Sequence, residues 1–310
     1  MRYTRRQIGQ MALGALPAAG ILARGTRLSA FGQQTRPDSK IAGVQIGLNV
    51  PYSFGNNTMP GDEVLTRCLA LGVSAVELRS QPVELAMGWT PPAPAAGRGA
   101  AQAVAGQLRQ WRRTADLARA DAFRRQWADA GVAIEILKFD GIYAFDDPEM
   151  DYAFTLAKRL GARAISCEID ASGTARVGQF ADKHELMVGY HGHAETTPAH
   201  WEAAFAQAKH NGANLDLGHF VAGNNVSPVP FITEHHDRIT HIHVKDRKMH
   251  NGPNVPFGEG DTPIVEVLHL LRDQKWNIQA TIEFEYPVPE GSDRMTEIGK
   301  CVEYCRKALA

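Results

Sequence analysis

The sequence predicts an α/β protein in the form of a (β/α)8 TIM barrel. Short runs rich in β-branched residues alternate with longer amphipathic stretches, which is typical of parallel βαβ units. Eight such repeats in about 280 residues match the size of a closed barrel. The alternative is a doubly wound open sheet, but Ile46-Gly47-Leu48-Asn49 lacks the glycine-rich loop that such a sheet carries after its first strand.

The predicted elements follow in order along the chain. Eight segments have the length, composition and flanking turn residues of strands: 41–50, 74–79, 132–139, 162–169, 186–191, 213–217, 239–244 and 278–284. The main helical patterns lie at 61–71, 108–130, 148–160, 198–209, 262–273 and 294–308. We therefore expect the helices to surround a sheet of parallel strands.

Residues 1–30 are predicted to be an export signal, and residues 31–310 a single TIM-barrel domain. Arg5 and Arg6 precede a mildly apolar run, and Leu28-Ser29-Ala30 offers small residues for cleavage. The pattern resembles a twin-arginine signal. An amphipathic helix and a membrane anchor are the alternatives, but a membrane span needs about 20 apolar residues. We expect a periplasmic or otherwise exported protein with no membrane segment after the signal is removed.

Charge and cysteine content narrow the classes of partner. The chain has a formal net charge of −1, and removing residues 1–30 takes away five arginines and no acidic residue. The remainder carries about −6 and has no basic tract, so a nucleic-acid partner is not expected. Cys301 and Cys305 stand four apart and are interpreted as small packed residues rather than metal ligands. The sequence does not predict the oligomeric state.

One segment breaks the alternation of strands and helices. Residues 81–107 follow the second predicted strand and are dominated by proline, alanine and glycine. In a barrel this insertion would lie over the C-terminal face, where substrates bind. Two interpretations stay open, a lid over the site and a mobile surface insertion with no role.

Potential metal ligands and proton carriers stand at the ends of five successive predicted strands. They are Glu168 on the fourth, His191 and His193 on the fifth, Asp216 and His219 on the sixth, His241, His243, Lys245 and Asp246 on the seventh, and Glu283 and Glu285 on the eighth. The carboxyl ends of barrel strands converge on one site. Burying so many polar groups without partners would cost several kcal/mol each. A divalent cation would compensate them, because imidazole and carboxylate are its ordinary ligands.

The alternation of side chains along a strand orders these residues further. His241 and His243 share one face of their strand, as do Glu283 and Glu285. If His243 points into the barrel mouth, His241 lies one layer deeper. Glu77, on the second strand, lies near the mouth and would either support the site or form a structural pair.

From about residue 41 to the C-terminus, the chain resembles the xylose isomerase-like TIM-barrel family of sugar isomerases and epimerases. The motifs that carry the resemblance are Leu71-Gly72-Val73-Ser74-Ala75-Val76-Glu77-Leu78, Asp216-Leu217-Gly218-His219, His241-Ile242-His243-Val244-Lys245-Asp246 and Ile282-Glu283. Each motif alone is weak, but their order and spacing together are specific. No motif identifies the substrate.

The resemblance implies a bound divalent ion, most often manganese, with zinc, iron, cobalt and magnesium as alternatives. Carried over position by position, its ligands would be His191, Asp216, His243 and Glu283. His219 resembles a histidine that contacts the substrate, and Lys245 and Asp246 would reach the same pocket. One position departs from the family, since the epimerases carry a glutamate where this chain has His191. Glu168, on the neighbouring strand, would either replace that acid or join the metal ligands.

The chemistry expected of this site is proton transfer on a sugar or a related polyol through an enediolate. A cation at the carbonyl and the adjacent hydroxyl would allow a carbon-bound proton to be removed at neutral pH. Glu283 is expected to be the base, and Glu168 or His219 to return the proton. Lys245 would stabilise negative charge on oxygen.

Three other functions stay open at this point. A lyase or dehydratase would use the same metal site to expel a leaving group from an oxidised sugar or a glycoside. A sugar-binding barrel would bind the same small carbohydrate without catalysis. Metal-dependent hydrolysis of nucleic acid is disfavoured by the acidic net charge.

Overall fold

Eight parallel strands close into a barrel in the computed structural model of the chain, which describes residues 36–92 and 99–310. The strands are β1 (Val44–Val50), β2 (Ala75–Arg79), β3 (Ala133–Lys138), β4 (Ala164–Glu168), β5 (Met187–His191), β6 (Asn211–Asp216), β7 (Ile239–Val244) and β8 (Gln279–Ile282). Each strand pairs with its neighbours in the chain, and β1 pairs with both β2 and β8. The predicted TIM barrel and its eight strands are confirmed.

Helices and short strands surround the barrel. The helices are α1 (Gly61–Ala70), α2 (Ser80–Ala86), α3 (Ala100–Arg112), α4 (Ala118–Asp129), α5 (Asp147–Leu160), α6 (Thr174–His184), α7 (Pro198–Phe205), α8 (Leu217–Asn224), α9 (Val229–His235), α10 (Ile264–Gln274) and α11 (Arg294–Leu309). A short strand, Lys40–Ile41, pairs antiparallel with the start of β1. Another antiparallel pair, Asp246–Arg247 with Asn254–Val255, lies just after β7.

Helix α5 shows how the sequence specifies these elements. Its N-terminus carries a capping box, in which Asp146 accepts from the backbone of Glu149 and Glu149 reaches back to the backbone of Asp146. Its C-terminus stops at Gly161, whose φ of 79° is left-handed and favours glycine. One face of the helix, including Met150 and Phe154, is buried against the barrel core. Full burial of such a side chain contributes about 1.5–3 kcal/mol.

The single helix predicted at 108–130 is wrong, because the structure divides this stretch into α3 and α4. Between them, the Thr114 hydroxyl donates to the carbonyl of Trp111 at 3.3 Å. The Asp116 carboxylate accepts from the backbone N–H of Ala118 at 3.0 Å. Local bonds of this kind compete with a continuous helix.

The insertion predicted at 81–107 is mostly helical in its described part, since it includes most of α2 and the beginning of α3. Arg112, at the end of α3, forms buried ion pairs with Glu84 of α2 and Glu149 of α5, at 2.7 and 3.1 Å. These pairs attach α3 to the helices that surround the barrel. Residues 93–98 of the insertion lie outside the described residues.

The export signal predicted at residues 1–30 also lies outside the described residues, and it stays a prediction. Within residues 36–92 and 99–310, no helix combines the length and the apolar character that a membrane crossing requires.

Candidate metal centre

The predicted site residues meet at the carboxyl end of the barrel. Glu168, His191 and Asp216 are the last residues of β4, β5 and β6. His243 is the penultimate residue of β7, and Glu283 directly follows β8. Since all eight strands are parallel, these five positions face one mouth.

The register between strands places the site residues side by side. Glu168 is paired with His191 between β4 and β5, and Asp216 is paired with His243 between β6 and β7. Asp216 also caps helix α8, where its Oδ1 accepts from the backbone N–H of His219 at 2.7 Å. This bond fixes the carboxylate. Its other oxygen, Oδ2, lies 3.5 Å from His191 Nε2 and 3.6 Å from His243 Nδ1.

The donor set fits a divalent ion. One ligand atom each from His191, Asp216, His219 and Glu283 lies within 4.8 Å of the others, and all four residues are buried. His243 Nδ1 lies 3.3 Å from Glu283 Oε2. The His243 atom has no hydrogen-bond partner, whereas the Glu283 oxygen is contacted by Lys245 Nζ at 2.6 Å. Because an unpartnered buried nitrogen is costly, His243 Nδ1 beside the oxygens of Asp216 and Glu283 indicates a place where a cation would be bound.

His219 lies beside this donor set but is held differently from His243. Its Nε2 is 3.2 Å from Lys245 Nζ, and its Nδ1 is 2.7 Å from Arg247 Nη1. Burial lowers the pKa of His219 to about 4, against the attraction of Asp216, so the ring is neutral at pH 7. A neutral ring has a single lone pair, so it can accept from only one of these two cationic side chains.

Lys245 supplies a buried positive charge at the mouth. Its Nζ lies 3.1 Å from Asp216 Oδ2, 2.6 Å from Glu283 Oε2 and 2.6 Å from Glu285 Oε2. Burial opposes the charged form, but these three carboxylates hold the pKa of Lys245 well above its usual value. The contact of both glutamates with one ammonium group confirms that Glu283 and Glu285 share a face.

His243 joins the mouth to a deeper layer of the barrel. Its Nε2 lies 2.5 Å from Glu77 Oε2, and His241 Nε2 lies 3.5 Å from the same oxygen. Burial disfavours an imidazolium, but the charges of Glu283 and Glu77 hold the pKa of His243 well above its usual value. Burial lowers the pKa of His241 to about 4. The predicted layering of His241 below His243 is confirmed.

Glu168 lies on the far side of His191 from Asp216. Its Oε2 accepts from His191 Nδ1 and from His193 Nε2, each at 2.8 Å, and its Oε1 accepts from Lys138 Nζ at 2.7 Å. Burial raises the pKa of Glu168, but the hydrogen bonds from the two histidines outweigh it and hold the pKa well below its usual value. Its side chain is 44% exposed, so Glu168 remains open to the mouth.

Sequence reasoning missed four contributors to the mouth. Asn49 donates to Glu283 Oε1 at 2.7 Å, and Tyr52 donates to Glu285 Oε1 at 2.6 Å. Lys138 and Arg247 contact Glu168 and His219, as described above. Asn49 and Lys138 lie at the ends of β1 and β3, so the same strand-end signal would have found them.

Asp246 does not reach the pocket where it was expected. Its carboxylate turns to the following loop and accepts from the backbone N–H groups of Gly258, Gly260 and Thr262 at 2.8, 2.9 and 3.2 Å. Consecutive residues of a strand point to opposite sides, so Lys245 and Asp246 cannot both face the mouth. Asp246 therefore fixes the loop that packs beside the site.

Comparison with known proteins agrees with this architecture. The model of the family described as xylose isomerase-like TIM barrel matches residues 65–308. The chain is similar to the solved structure of a xylose isomerase domain protein from Planctomyces limnophilus, with 17% identity, 86% of this chain and 98% of that chain covered, and a TM-score of 0.59. No curated protein matches the sequence significantly.

Two further solved structures are similar to the chain. One is a probable 3-DHS dehydratase involved in petrobactin synthesis from Bacillus anthracis, with 13% identity, 84% and 99% of the two chains covered, and a TM-score of 0.58. The other is an uncharacterized protein from Parabacteroides distasonis, with 18% identity, 86% and 99% covered, and a TM-score of 0.55. At these identities the likeness shows the fold alone. Since the family model covers most of the sequence, the chain belongs to the xylose isomerase-like TIM barrel family.

Proposed function

We propose that the protein is a metal-dependent isomerase or epimerase that transfers a proton on a sugar or a related polyol. The observation that carries this proposal is the convergence of ligand-type side chains from four successive strands at one buried point. The unpartnered Nδ1 atom of His243 at this point supports a bound cation. Membership of the xylose isomerase-like family supports catalysis rather than binding alone, as does the similarity to a probable dehydratase.

The proposed ligands are His191 Nε2, Asp216 Oδ2, His243 Nδ1 and Glu283 Oε2, with manganese as the first candidate ion. Glu168 is the weaker candidate, because its two oxygens already accept from Lys138, His191 and His193. His219 is weaker too, since both of its nitrogens face cationic donors. When bound, the ion would supply Lewis-acid stabilisation of the enediolate.

Two residues of the chain are proposed to carry out the removal of the proton. Glu283 is the proposed base, and Asn49 holds its second oxygen in place. Burial opposes ionisation of Glu283, but the charges of Lys245 and His243 keep its pKa well below the usual value. Glu283 is therefore a weak base, and the substrate must be strongly acidified at the reacting carbon. Lys245 would stabilise the negative charge that develops on oxygen.

The return of the proton is the step that separates two candidate reactions. His191 stands where the two-glutamate epimerases carry their second acid, and its nitrogens already face Glu168 and Asp216. His219, which is neutral at pH 7, and Glu168 are the remaining groups that could return the proton. Glu168, whose pKa is held well below its usual value, would first have to take up the proton that it returns. A lyase or dehydratase is the second candidate, because expulsion of a leaving group does not require reprotonation of the second carbon.

The charges at the mouth favour an unphosphorylated carbohydrate. In the part of the chain that the structure covers, Lys138 and Lys245 pair with carboxylates, and Arg79 pairs with Asp140. Arg247 is held by His219 and by the backbone carbonyl of Gly252. These four cations are thus already engaged within the protein, which disfavours a phosphate group.

Exchange of protons with solvent tests the proposal. The protein loaded with one equivalent of Mn²⁺ is incubated in D2O with three classes of compound. They are unphosphorylated ketoses, inositols oxidised to ketones, and glycosides oxidised to a ketone on the sugar ring. An isomerase or epimerase is expected to incorporate deuterium at carbon and to form a new isomer, as read by NMR. A lyase is expected to form the free leaving group and an unsaturated product in equal amounts.

Chelation provides the control for this experiment. Removal of the ion should stop both exchange and elimination, and added Mn²⁺ should restore them. Turnover that continues at the same rate without any ion would contradict the proposal. Carbohydrate binding with neither exchange nor elimination across the panel would favour the sugar-binding barrel instead.

A further inference from the structure

Glu77 is a buried carboxylate below the candidate metal centre. It lies in the middle of β2, and its side chain is fully buried, which excludes contact with a substrate in the mouth. Its Oε2 lies 2.5 Å from His243 Nε2, while its Oε1 has no hydrogen-bond partner. A charged group in such a position requires a compensating partner.

The neighbouring His241 does not supply that partner. The Thr240 hydroxyl donates to the carbonyl of Ala213 at 3.0 Å, so its single proton is used there. The 2.9 Å contact between Thr240 Oγ1 and His241 Nδ1 therefore has the histidine as donor. His241 Nε2 lies 3.5 Å from Glu77 Oε2, about 1.0 Å farther than His243 Nε2, and makes no hydrogen bond. Glu77 is thus bonded through His243.

We propose that Glu77 is a positioning residue for the metal centre and acts through His243. By accepting the Nε2–H bond, Glu77 leaves Nδ1, the atom that faces Asp216 and Glu283, as the nitrogen that would give up its proton to bind an ion. This inference rests on the proposed function, because it requires an ion at that point. A carboxylate behind a ligating histidine fixes its tautomer and ring orientation and raises its strength as a ligand.

The second histidine of the proposed ligand set is held in the same manner. His191 Nδ1 is bonded to Glu168, and its Nε2 faces Asp216. Glu168, however, is partly exposed to the mouth. A substitution of Glu168 would therefore alter both the surroundings of a substrate and the hydrogen bond to His191. Glu77 is fully buried and lies closer to His243 Nε2 than to His241 Nε2, so its variants act on the centre through His243.

The test is the Mn²⁺ dissociation constant of Glu77→Gln, measured by the electron paramagnetic resonance signal of free Mn²⁺. The variant removes the negative charge with little change in shape. Affinity is expected to fall by about 10- to 100-fold, the usual effect of losing such an outer partner. Glu77→Asp keeps the charge and should recover part of that loss.

A matched control separates this role from a general structural one. Glu135 lies on the neighbouring strand β3, where it pairs with Arg163 at 3.0 Å and makes no contact with the proposed ligands. Glu135→Gln should leave the Mn²⁺ dissociation constant unchanged within about twofold. An equal fall in both variants would overturn the positioning role, as would an unchanged constant in Glu77→Gln.

A second measurement uses the unaltered chain and so holds even if Glu77→Gln fails to fold. With Zn²⁺ bound, the nitrogen-15 shifts of His243 should show a protonated Nε2 and a coordinated Nδ1. The opposite assignment would overturn the inference. Failure of the unaltered protein to bind either ion would instead count against the proposed function, so the two failures are distinguishable.

Discussion

Glu283→Gln is expected to lower turnover by at least about 100-fold while the protein keeps its ion. General base catalysis contributes about 10²- to 10⁴-fold, and an amide cannot accept the proton. The amide oxygen can replace Oε2 as the ligand atom. Asn49, which donates to Oε1 at 2.7 Å in the unaltered protein, can then turn its unpartnered Oδ1 to accept from the new NH2 group. Turnover is measured by deuterium exchange at saturating Mn²⁺, and bound metal by elemental analysis.

The control for this variant is Glu290→Gln, in the exposed loop that follows β8. It removes the same charge nearby and should leave both turnover and metal content unchanged. Retained turnover in Glu283→Gln would remove Glu283 as the base. Loss of the ion at saturating Mn²⁺ would show that Glu283 acts mainly as a ligand.

Arg112→Ala is expected to lower the free energy of unfolding by about 3–5 kcal/mol. The guanidinium lies between the buried carboxylates of Glu84 and Glu149 and stands 4.4 Å from the centre of the Phe145 ring. Removing one partner of a buried ion pair is costly, because the remaining charge is left buried without compensation. Urea denaturation followed by circular dichroism measures the change.

The neighbouring Arg113 offers a matched control. Arg113 pairs with Asp146, but both side chains are partly exposed to solvent, at 42% and 33%. Exposed ion pairs contribute about 0–1 kcal/mol, so Arg113→Ala should change the unfolding free energy by less than about 1 kcal/mol. Equal effects of the two variants would contradict the view that Arg112 attaches α3 through buried charges.

The barrel could be predicted because its signals are local. Short apolar runs of four to seven residues alternate with helical stretches, and this alternation identifies the strands without knowledge of their neighbours. The strand-end positions then place His191, Asp216, His243 and Glu283 at one mouth, because parallel strands share a direction. That part of the candidate site follows from topology alone.

Other features depend on contacts that the sequence does not display. Both oxygens of Glu168 are taken up by hydrogen bonds from Lys138, His191 and His193, which lie on other segments. The division between α3 and α4 results from side chains that bond the backbone in place of a helical turn. Such competition is decided by geometry, not by composition.

Asp246 is a different case, because the sequence contained the information needed to place it. The alternation that set His241 and His243 on one face also puts Lys245 on that face and Asp246 on the other. The structure accordingly turns Asp246 towards Gly258 and Gly260.

The most direct test of the metal centre is elemental analysis of the protein purified without chelator, beside an Asp216→Ala, His243→Ala variant. The proposal predicts about one equivalent of manganese, zinc or iron in the unaltered protein and its loss in the variant. The absence of metal from both proteins, even after reloading with Mn²⁺, Zn²⁺ and Fe²⁺, would contradict it.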